Sequence, residues 1–380
     1  MSLARDIADL GAVTSRLDTV GGSSGALSNR NLIINGAMQV AQRGTSKTLV
    51  NGQINFCTDR WNLYYAGFDN FAGTLTQESD GPDGFANSLK ITTTTAESAI
   101  ASDEYAHLSQ LVEAQNLQQL AYGTSAAKQL TLSFYVKSSI TGTFACGIYK
   151  QDNTAQIHNL TYTIDAANTW ERKTLTFAAN TLSGGAIDNN NGIGFYVNWH
   201  IAAGSSYKGG GSTSGWSAYA QDKWADGLGT DAVMTTTNAT FFLTGCQLEV
   251  GDTATDFEHR SFADELARCQ RYFLRSYDYG TATGTATSVG AQSSTAAVSQ
   301  TYASAGTYNF PVEMRATPTV TLYSTANAST TGKVSADGTD GTGSASFVGT
   351  NSVFVLRSND STGVSANIIM KAHLTASSEL

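Results

Sequence analysis

Gln129-Leu-Thr-Leu-Ser-Phe-Tyr-Val-Lys137 places Leu130, Leu132, Phe134 and Val136 at every second position, with more polar residues between them. Side chains of an extended chain point alternately to opposite faces, so this period buries one face of a strand and leaves the other wet. The same period recurs on either side. Ser88-Leu-Lys-Ile-Thr-Thr-Thr94 turns Leu89 and Ile91 inward, and Asn31 to Val40 opens the series. Phe144 to Tyr149, Leu160 to Ile164, Trp170 to Phe177, Gly192 to Trp199 and Thr240 to Val250 extend it. Short strands at this spacing predict a sandwich or barrel from Asn29 to about Phe262, of jelly-roll type. Ala114 to Leu120 reads as one or two helical turns crossing an edge.

Composition points the same way. Of 380 residues only 14% are charged, and 37 are Gly, with Thr, Ser, Asn and Ala abundant. Thr suits half-buried pleated surfaces and Gly and Asn suit the turns between strands, so the chain is predicted to be mainly β. The length has room for two or three compact domains. A net charge of −9 repels phosphate, and no Lys/Arg run exceeds two, so nucleic acid is not an expected partner. No apolar stretch is long enough to span a membrane as a helix, so no membrane insertion is expected. The first 20 residues carry five charges and no apolar block, so no secretion signal is expected. Cys57, Cys146, Cys246 and Cys269 are too scattered for a zinc knuckle or a disulfide framework. Cys146 and Cys246 fall in strands, where a small buried thiol is the expectation, and reduced thiols suit folding in a cytoplasm.

Two helices flank the predicted sandwich. Leu3, Ile7, Leu10 and Leu17 mark one over residues 2–20, barely two heptads long, ended by Gly21-Gly-Ser-Ser-Gly25. A lone helix of that length is marginal in water, so it is expected to pack on copies of itself or on a partner, the alternative being its own domain. The second is predicted over Ser261 to Ser276, with Phe262, Leu266, Cys269 and Phe273 as its apolar stripe and Arg268, Arg271 and Arg275 on the wetter side. Residues 280–380 read as a separate β module, with strands over 281–304, in 306–323, at Ser352–Arg357 and at Ala366–Leu374. Pro311 and Pro318 suit strand edges. Val353 and Val355 alternate with Phe354 and Leu356, which predicts burial of both faces, as between subunits.

No constellation announces catalysis. A Gly-x-Ser-x-Gly elbow within an α/β pattern is lacking, as is any Gly-rich phosphate loop. No two of His107, His158, His200, His259 and His373 stand at metal-ligand spacing, so no metal and no cofactor is expected. His259 is expected to bond backbone and Glu258. Asp222 and Asp226 flank Trp224 and are the candidate pair for glycoside cleavage, which needs two carboxylates facing each other across a cleft. Solvated loop acids are the other reading. Asp188-Asn-Asn-Asn-Gly192 has a loose likeness to a calcium loop without its regular spacing, and reads as a tight turn. The strongest functional signal is aromatic. The Gly204–Thr230 excursion carries Tyr207, Trp216, Tyr219 and Trp224, with Asn198 just before it, and sugar rings pack on such side chains while amides bond their hydroxyls. The competing reading makes both Trp residues plugs that seat the excursion on the sandwich. In the C-terminal module Tyr302, Tyr308, Asn309 and Tyr323 are the corresponding candidates.

Gly245-Cys-Gln-Leu-Glu-Val-Gly251, Phe257-Glu-His-Arg260 and Glu265–Phe273, taken with Asn31–Gly44 and Asp59-Arg-Trp61, resemble a recurring joint. It is that of bacteriophage tail-fibre and virion-appendage (receptor-binding) proteins, which close a carbohydrate-binding-module-like jelly roll there. Phe310-Pro-Val-Glu-Met-Arg315, with Pro318 behind it, resembles their distal domain. The resemblance implies a helix and joint at 1–28 that anchors to other virion proteins or trimerises, a jelly roll at 29–260, a linker helix at 261–279 and a β-sandwich tip at 280–380. It further implies a homotrimer, assembled in a bacterial cytoplasm into a virion, that attaches to host cell-surface polysaccharide and is not an enzyme. A virion-borne polysaccharide depolymerase and a purely architectural head or tail decoration are the alternatives. Related sandwiches hold a calcium between opening and closing strands; here Met38-Gln39-Val40, Thr244 and Gly245 stand where acids would be needed.

Overall fold

The computed structural model describes residues 29–295, 302–358 and 367–380. The expected helix over 2–20 and its glycine joint lie outside the described residues. The chain forms two compact units. The first runs to Gln39 and adds Ser46–Phe56 and Trp61–Arg260; the second comprises Val40–Thr45, Cys57–Arg60 and Ser261–Leu380. All four cysteines are free and buried.

The strands of the first unit are β1 (Ser46–Thr48), β2 (Ile54–Phe56), β3 (Asn62–Ala66), β4 (Ala72–Glu78), β5 (Ser88–Thr95), β6 (Tyr105–Glu113) and β7 (Leu130–Ser138). After them come β8 (Gly142–Lys150), β9 (Gln156–Ile164), β10 (Glu171–Phe177), β11 (Ile193–Ala203), β12 (Ser217–Ala218) and β13 (Thr240–Val250). They build a six-stranded sheet ordered β1-β4-β5-β13-β7-β10 and a seven-stranded sheet ordered β12-β9-β8-β11-β6-β3-β2. A 3-10 helix at Ala114–Leu120 and a single turn, α1 (Ala232–Thr235), are its longest helical pieces among the described residues. The chain is mainly β, a sandwich of jelly-roll type with few helices, as the alternation predicts. Leu130, Leu132, Phe134 and Val136 are all fully buried. Rings join the two inner faces: Phe134 of β7 meets Trp199 of β11 at 5.7 Å, and Phe144 of β8 meets Phe241 of β13 at 5.6 Å. Tilted and edge-on ring pairs of this kind add to the gain from burial alone.

Asn31–Val40 is not the ladder strand expected of it. Asn35 and Met38 take φ of 58° and 55°, a left-handed backbone that cannot continue a ladder. Side chains hold the segment instead. Asn31 Oδ1 accepts from the Ile33 and Leu248 N–H groups at 2.9 and 3.0 Å, and its Nδ2 donates to the Cys246 carbonyl at 3.1 Å. Glu258 accepts from the Asn29 and Asn31 N–H groups, while Arg260 donates to the carbonyls of Asn31 and Ile33 and to Glu258. Gly36 fits there because a Cβ would overlap the Cys246 carbonyl oxygen. Glu258 therefore bonds Arg260 and backbone rather than His259, whose exposed ring packs on Phe257 and Phe85. β6 escapes a period-of-two reading because polar His107, Ser109 and Gln110 are buried along with its apolar residues. Replacing Asn31 by Ala leaves buried polar groups of its own segment and of β13 without partners and should cost roughly 2–4 kcal/mol, read as a lowered urea midpoint.

The second unit contains α2 (Phe262–Gln270), β14 (Phe273–Arg275), β15 (Gln292–Thr295), β16 (Tyr302–Asn309), β17 (Thr319–Tyr323), β18 (Lys333–Ala336), β19 (Thr339–Ser346), β20 (Ser352–Ser358) and β21 (Ile369–Ser377). β21 organises it. Its first half pairs β15 and β18, its second half pairs β17 and β14, and β18-β19-β20-β16 continue the sheet. Val334, Val353, Val355, Met370 and Leu374 form the core. Phe354 and Leu356, on the other side of β20, stay half-buried. The helix expected to reach Ser276 stops at Gln270, because Phe273–Arg275 leave it to pair with Thr375–Ser377. Ser261 caps it by accepting from Asp264 N–H. Its inward residues are Glu265 and Cys269, with Phe262 exposed, and Arg275, expected on the wet side, is buried and donates to the Thr281 carbonyl at 2.6 Å.

Asp59 is fully buried in this unit. It accepts from the Gln42 side chain at 2.5 Å and lies 3.7 Å from Arg43. Arg43 and Arg60 lie over the Phe273 and Tyr272 rings and both pair with Glu379. Burial outweighs Arg43 and raises the Asp59 carboxyl from 3.8 to about 6. Between those values the folded state binds more proton than the unfolded chain, so this group's contribution to stability falls as pH rises from about 4 to about 6. Asp59→Asn should flatten that slope in thermal unfolding followed across the same window.

Candidate functional site

β11 divides its side chains between the two faces of its sheet. Phe195, Val197 and Trp199 are buried in the sandwich, so Tyr196, Asn198 and His200 take the opposite face. Register then fixes their neighbours. Tyr196 stands opposite Tyr149, Asn198 opposite Gly147 and Ser109, and His200 opposite Ala145 and His107, with Tyr64 beside His107 on β3. This face is built from aromatic, amide and imidazole groups.

The Gly204–Thr230 excursion folds back over it. Trp224 stands edge-on above the strands, its ring 5.3 Å from His107, 5.5 Å from Tyr149 and 5.9 Å from His200. On one side Tyr207 lies 4.4 Å from Tyr105, which lies 5.8 Å from Tyr64. On the other, Tyr149 is 5.0 Å from Tyr219 and 5.4 Å from Tyr196. These six tyrosines are half-buried or exposed. Trp216 goes elsewhere. Its Nε1 donates to the Ala178 carbonyl at 2.7 Å, and its ring packs on Tyr122, His158 and Phe195 at the sandwich edge. It is a plug, while Tyr207, Tyr219 and Trp224 belong to the open face.

Acidic side chains pin the excursion. The buried Asp226 carboxylate accepts from the Gly209 and Ser212 N–H groups at 2.9 and 2.6 Å, and Asp231 accepts from Ala203 N–H and Lys208. Asn159 Nδ2 donates to Ser212 Oγ at 2.8 Å and to the Lys223 carbonyl at 2.6 Å. Both Asp226 oxygens are thus engaged by backbone, and Asp222 is exposed, so the two do not form a facing pair.

The face is electrically quiet. Burial lowers His107 to about 4, and burial with His107 beside it holds His200 well below the usual imidazole range, so both imidazoles are neutral at neutral pH. Burial likewise raises the phenols of Tyr105, Tyr149 and Tyr196, keeping them protonated. Acidic side chains gather beside Tyr105. Burial raises the carboxyl of Glu104, next to Tyr105, helped by Glu97, Asp69 and Asp103. Among the described residues, seven buried polar atoms at the centre of the face have no hydrogen-bond partner: Asn198 Oδ1 and Nδ2, both ring nitrogens of His200, His107 Nδ1, Trp224 Nε1 and Asn159 Oδ1. Each such group costs about 1–3 kcal/mol.

Other candidates resolve into structural roles. Asn190 Oδ1 accepts from Gly192 N–H and closes the Asp188–Gly192 turn. The cation beside that turn is the buried Lys150 ammonium, held by the carbonyls of Asp152, Gly184 and Ala186. Gln77 Nε2 donates to the Met38 carbonyl at 2.6 Å, and Thr244 Oγ1 donates to the Asn87 carbonyl. Among the described residues no three His, Cys, Asp or Glu side chains converge for a metal ion. In the second unit Ser276 Oγ lies 2.9 Å from His373 Nδ1, but His373 is fully buried under Tyr277. Tyr308 packs on Phe310 and the core, Asn309 is exposed and Tyr323 meets Tyr277. The side chain of Tyr302 lies outside the described residues. A polar cavity of about 460 Å³ in that unit is lined by Thr325, Ser335, Asp337, Asn367 and Lys371, and by none of those tyrosines.

Sequence reasoning found the excursion's aromatics but missed Tyr64, Tyr105, Tyr149 and Tyr196. The signal available was Phe195-Tyr-Val-Asn-Trp-His200, where aromatic and polar residues occupy the alternate positions that a wet face fills with Thr or Lys.

No family model matches the chain, and no curated protein does. Partial likenesses to solved structures exist. The bacteriophage CBA120 tailspike protein 4 enzymatically active domain aligns at 14% identity and TM-score 0.33, covering 58% of this chain and 21% of that one. A family 11 carbohydrate-binding module from Clostridium thermocellum, in complex with a β-1,3-1,4-mixed-linked tetrasaccharide, gives 12% and 0.27, covering 57% of this chain and 99% of the module. The CBM22-1 xylan-binding domain of Paenibacillus barcinonensis Xyn10C gives 8% and 0.28, covering 60% and 100%. At these scores the likenesses carry no argument.

Asp226→Ala should free the Gly209 and Ser212 N–H groups at a cost of about 1–3 kcal/mol. Limited proteolysis should then cut within residues 204–230 at protease levels that leave the parent intact.

Proposed function

We propose that the chain is a non-catalytic glycan-binding protein that lays a polysaccharide along the open face of its seven-stranded sheet. The observation that carries this reading is the run of tyrosine rings on either side of Trp224, from Tyr64, Tyr105 and Tyr207 to Tyr219, Tyr149 and Tyr196. The C–H face of a pyranose packs on an aromatic ring, and rings in series suit successive sugars of a chain. Hydrolysis needs two free carboxylates facing each other. Near this face Asp226, Glu97 and Glu104 each accept backbone N–H groups, which favours holding a glycan over cleaving it.

In its finer form the proposal is a bacteriophage tail fibre or spike. It is a homotrimer, located in the virion, joined to other virion proteins through residues 1–28, and it attaches the particle to host surface polysaccharide. The resembling motifs at Asn31–Gly44, Gly245–Arg260 and Phe310–Arg315 support it. The half-buried outer face of Phe354 and Leu356 supports contact between copies. Threefold repetition would turn weak sugar contacts into useful avidity.

The test is affinity electrophoresis in gels containing host surface polysaccharide. Tyr105→Ala with Tyr149→Ala should weaken retention at least about tenfold, some 1.4 kcal/mol, with an unchanged circular dichroism spectrum. Equal retention of parent and variant would remove the site from consideration. New reducing ends on incubation with the polysaccharide would make the protein a depolymerase.

A further inference from the structure

His107, Asn198 and His200 are not required by the tyrosine platform, yet they sit at its centre. Asn198 is fully buried, His200 is 1% exposed and His107 7%. They occupy adjacent rungs of β6 and β11, facing the same way as Tyr196 and Tyr149. Both amide atoms of Asn198, both ring nitrogens of His200 and Nδ1 of His107 find no partner among the described residues. Trp224 Nε1, above them, is in the same condition. Asn31 and Gln247, buried amides at the other sheet, are bonded, and Asn159, whose Oδ1 is also without a partner, stands beside Gly147 on the next strand. Buried polar groups without a protein partner are few in folded proteins, and a cluster of them facing one way is a place where a polar molecule can be bound. Gly147, the cross-strand neighbour of Asn198, keeps the floor low, because a Cβ there would overlap the Asn159 carboxamide and approach His200 Nε2.

We infer that His107, Asn198 and His200 form a recessed polar subsite, covered by Trp224, that receives the hydroxyl groups of one uncharged sugar residue and sets the specificity of the face. The inference rests on the glycan-binding reading and adds the class of sugar. A hydroxyl both donates and accepts. Two neutral imidazoles offer a donor and an acceptor each, and an amide offers both, so the set matches hydroxyls in several orientations. It does not match a carboxylate or sulfate. No cation stands on these rungs: of the nearby lysines Lys208 is paired with Asp231 and Lys223 donates to the Ala218 carbonyl, while Asp69, Glu97, Asp103 and Glu104 gather beside Tyr105. Entry of the sugar requires the Trp224 ring to move off His107 and His200, and its indole N–H then becomes a further donor.

The experiment uses the full chain in affinity gels containing neutral galactan, neutral mixed-linkage β-glucan, polygalacturonate or host surface polysaccharide. The parent should be retained at least tenfold more strongly by a neutral polymer than by polygalacturonate. Asn198→Leu, which replaces an unpaired amide by an apolar group of similar shape, should raise the unfolding midpoint and abolish that retention. His200→Phe is the second variant and should do the same. Unchanged neutral retention by both folded variants, with loss in the Tyr105→Ala, Tyr149→Ala pair, would overturn the subsite and leave the platform standing. Preference for polygalacturonate, or retention by host polysaccharide alone among the four, would overturn the sugar class. Retention by none would overturn this inference and the glycan reading together.

Discussion

The sandwich depends on a clasp between chain segments more than two hundred residues apart. Asn31 bonds the backbone of Cys246 and Leu248, and Glu258 and Arg260 bond the backbone of Asn29, Asn31 and Ile33. The segment so held cannot join a ladder, because Asn35 and Met38 are left-handed. Many of its polar backbone groups are therefore met by side chains: the closing stretch supplies those of Glu258 and Arg260, and Gln110, Gln77 and Trp61 supply others. β13, at whose end that stretch begins, is an inner strand of the six-stranded sheet, between β5 and β7. Opening the clasp would strip hydrogen bonds from a strand whose apolar residues pack at the centre of the core.

Above that frame the seven-stranded sheet is free to carry polar and aromatic groups on its other side. Its inner face supplies Leu63, Trp199, Phe195 and Ile148 to the core. The outer face holds tyrosines, neutral histidines and amides, and the Gly204–Thr230 excursion completes it with Tyr207, Tyr219 and Trp224. The two tryptophans of the excursion divide the work. Trp216 anchors it at the sandwich edge, and Trp224 covers polar atoms that nothing in the described chain bonds. Trp216 takes the structural role that the sequence leaves open for both, while Trp224 stands over the open face.

In the second unit the same division falls on β20. Val353 and Val355 are core, while Phe354 and Leu356 lie outward and half-buried. The cationic side chains Arg43 and Arg60 lie on the rings of Phe273 and Tyr272, respectively, and meet Glu379, close to buried Asp59. Residues of the Gln42-Arg43 and Asp59-Arg60 motifs thus serve this unit's charge network, although they precede most of the first unit in the chain.

The sequence by itself determined the β class, most central strands and the excursion, because those follow from a local period of two and from turn-forming residues. β5, β7, β10 and β13 were legible within a residue or two. β6 was not, since a strand buried on both faces loses its alternation when the buried partners are polar. The length of α2 was decided by pairing with β21, a contact made across about a hundred residues and invisible to helical periodicity. The assembly of the face was likewise tertiary. Tyr64, Tyr105, Tyr149 and Tyr196 come from separate strands, and only the cross-strand register brings their rings together. Which histidines and amides go unpaired depends on where the excursion lands, and that is settled by Asp226 and Asp231 bonding backbone that no local pattern marks.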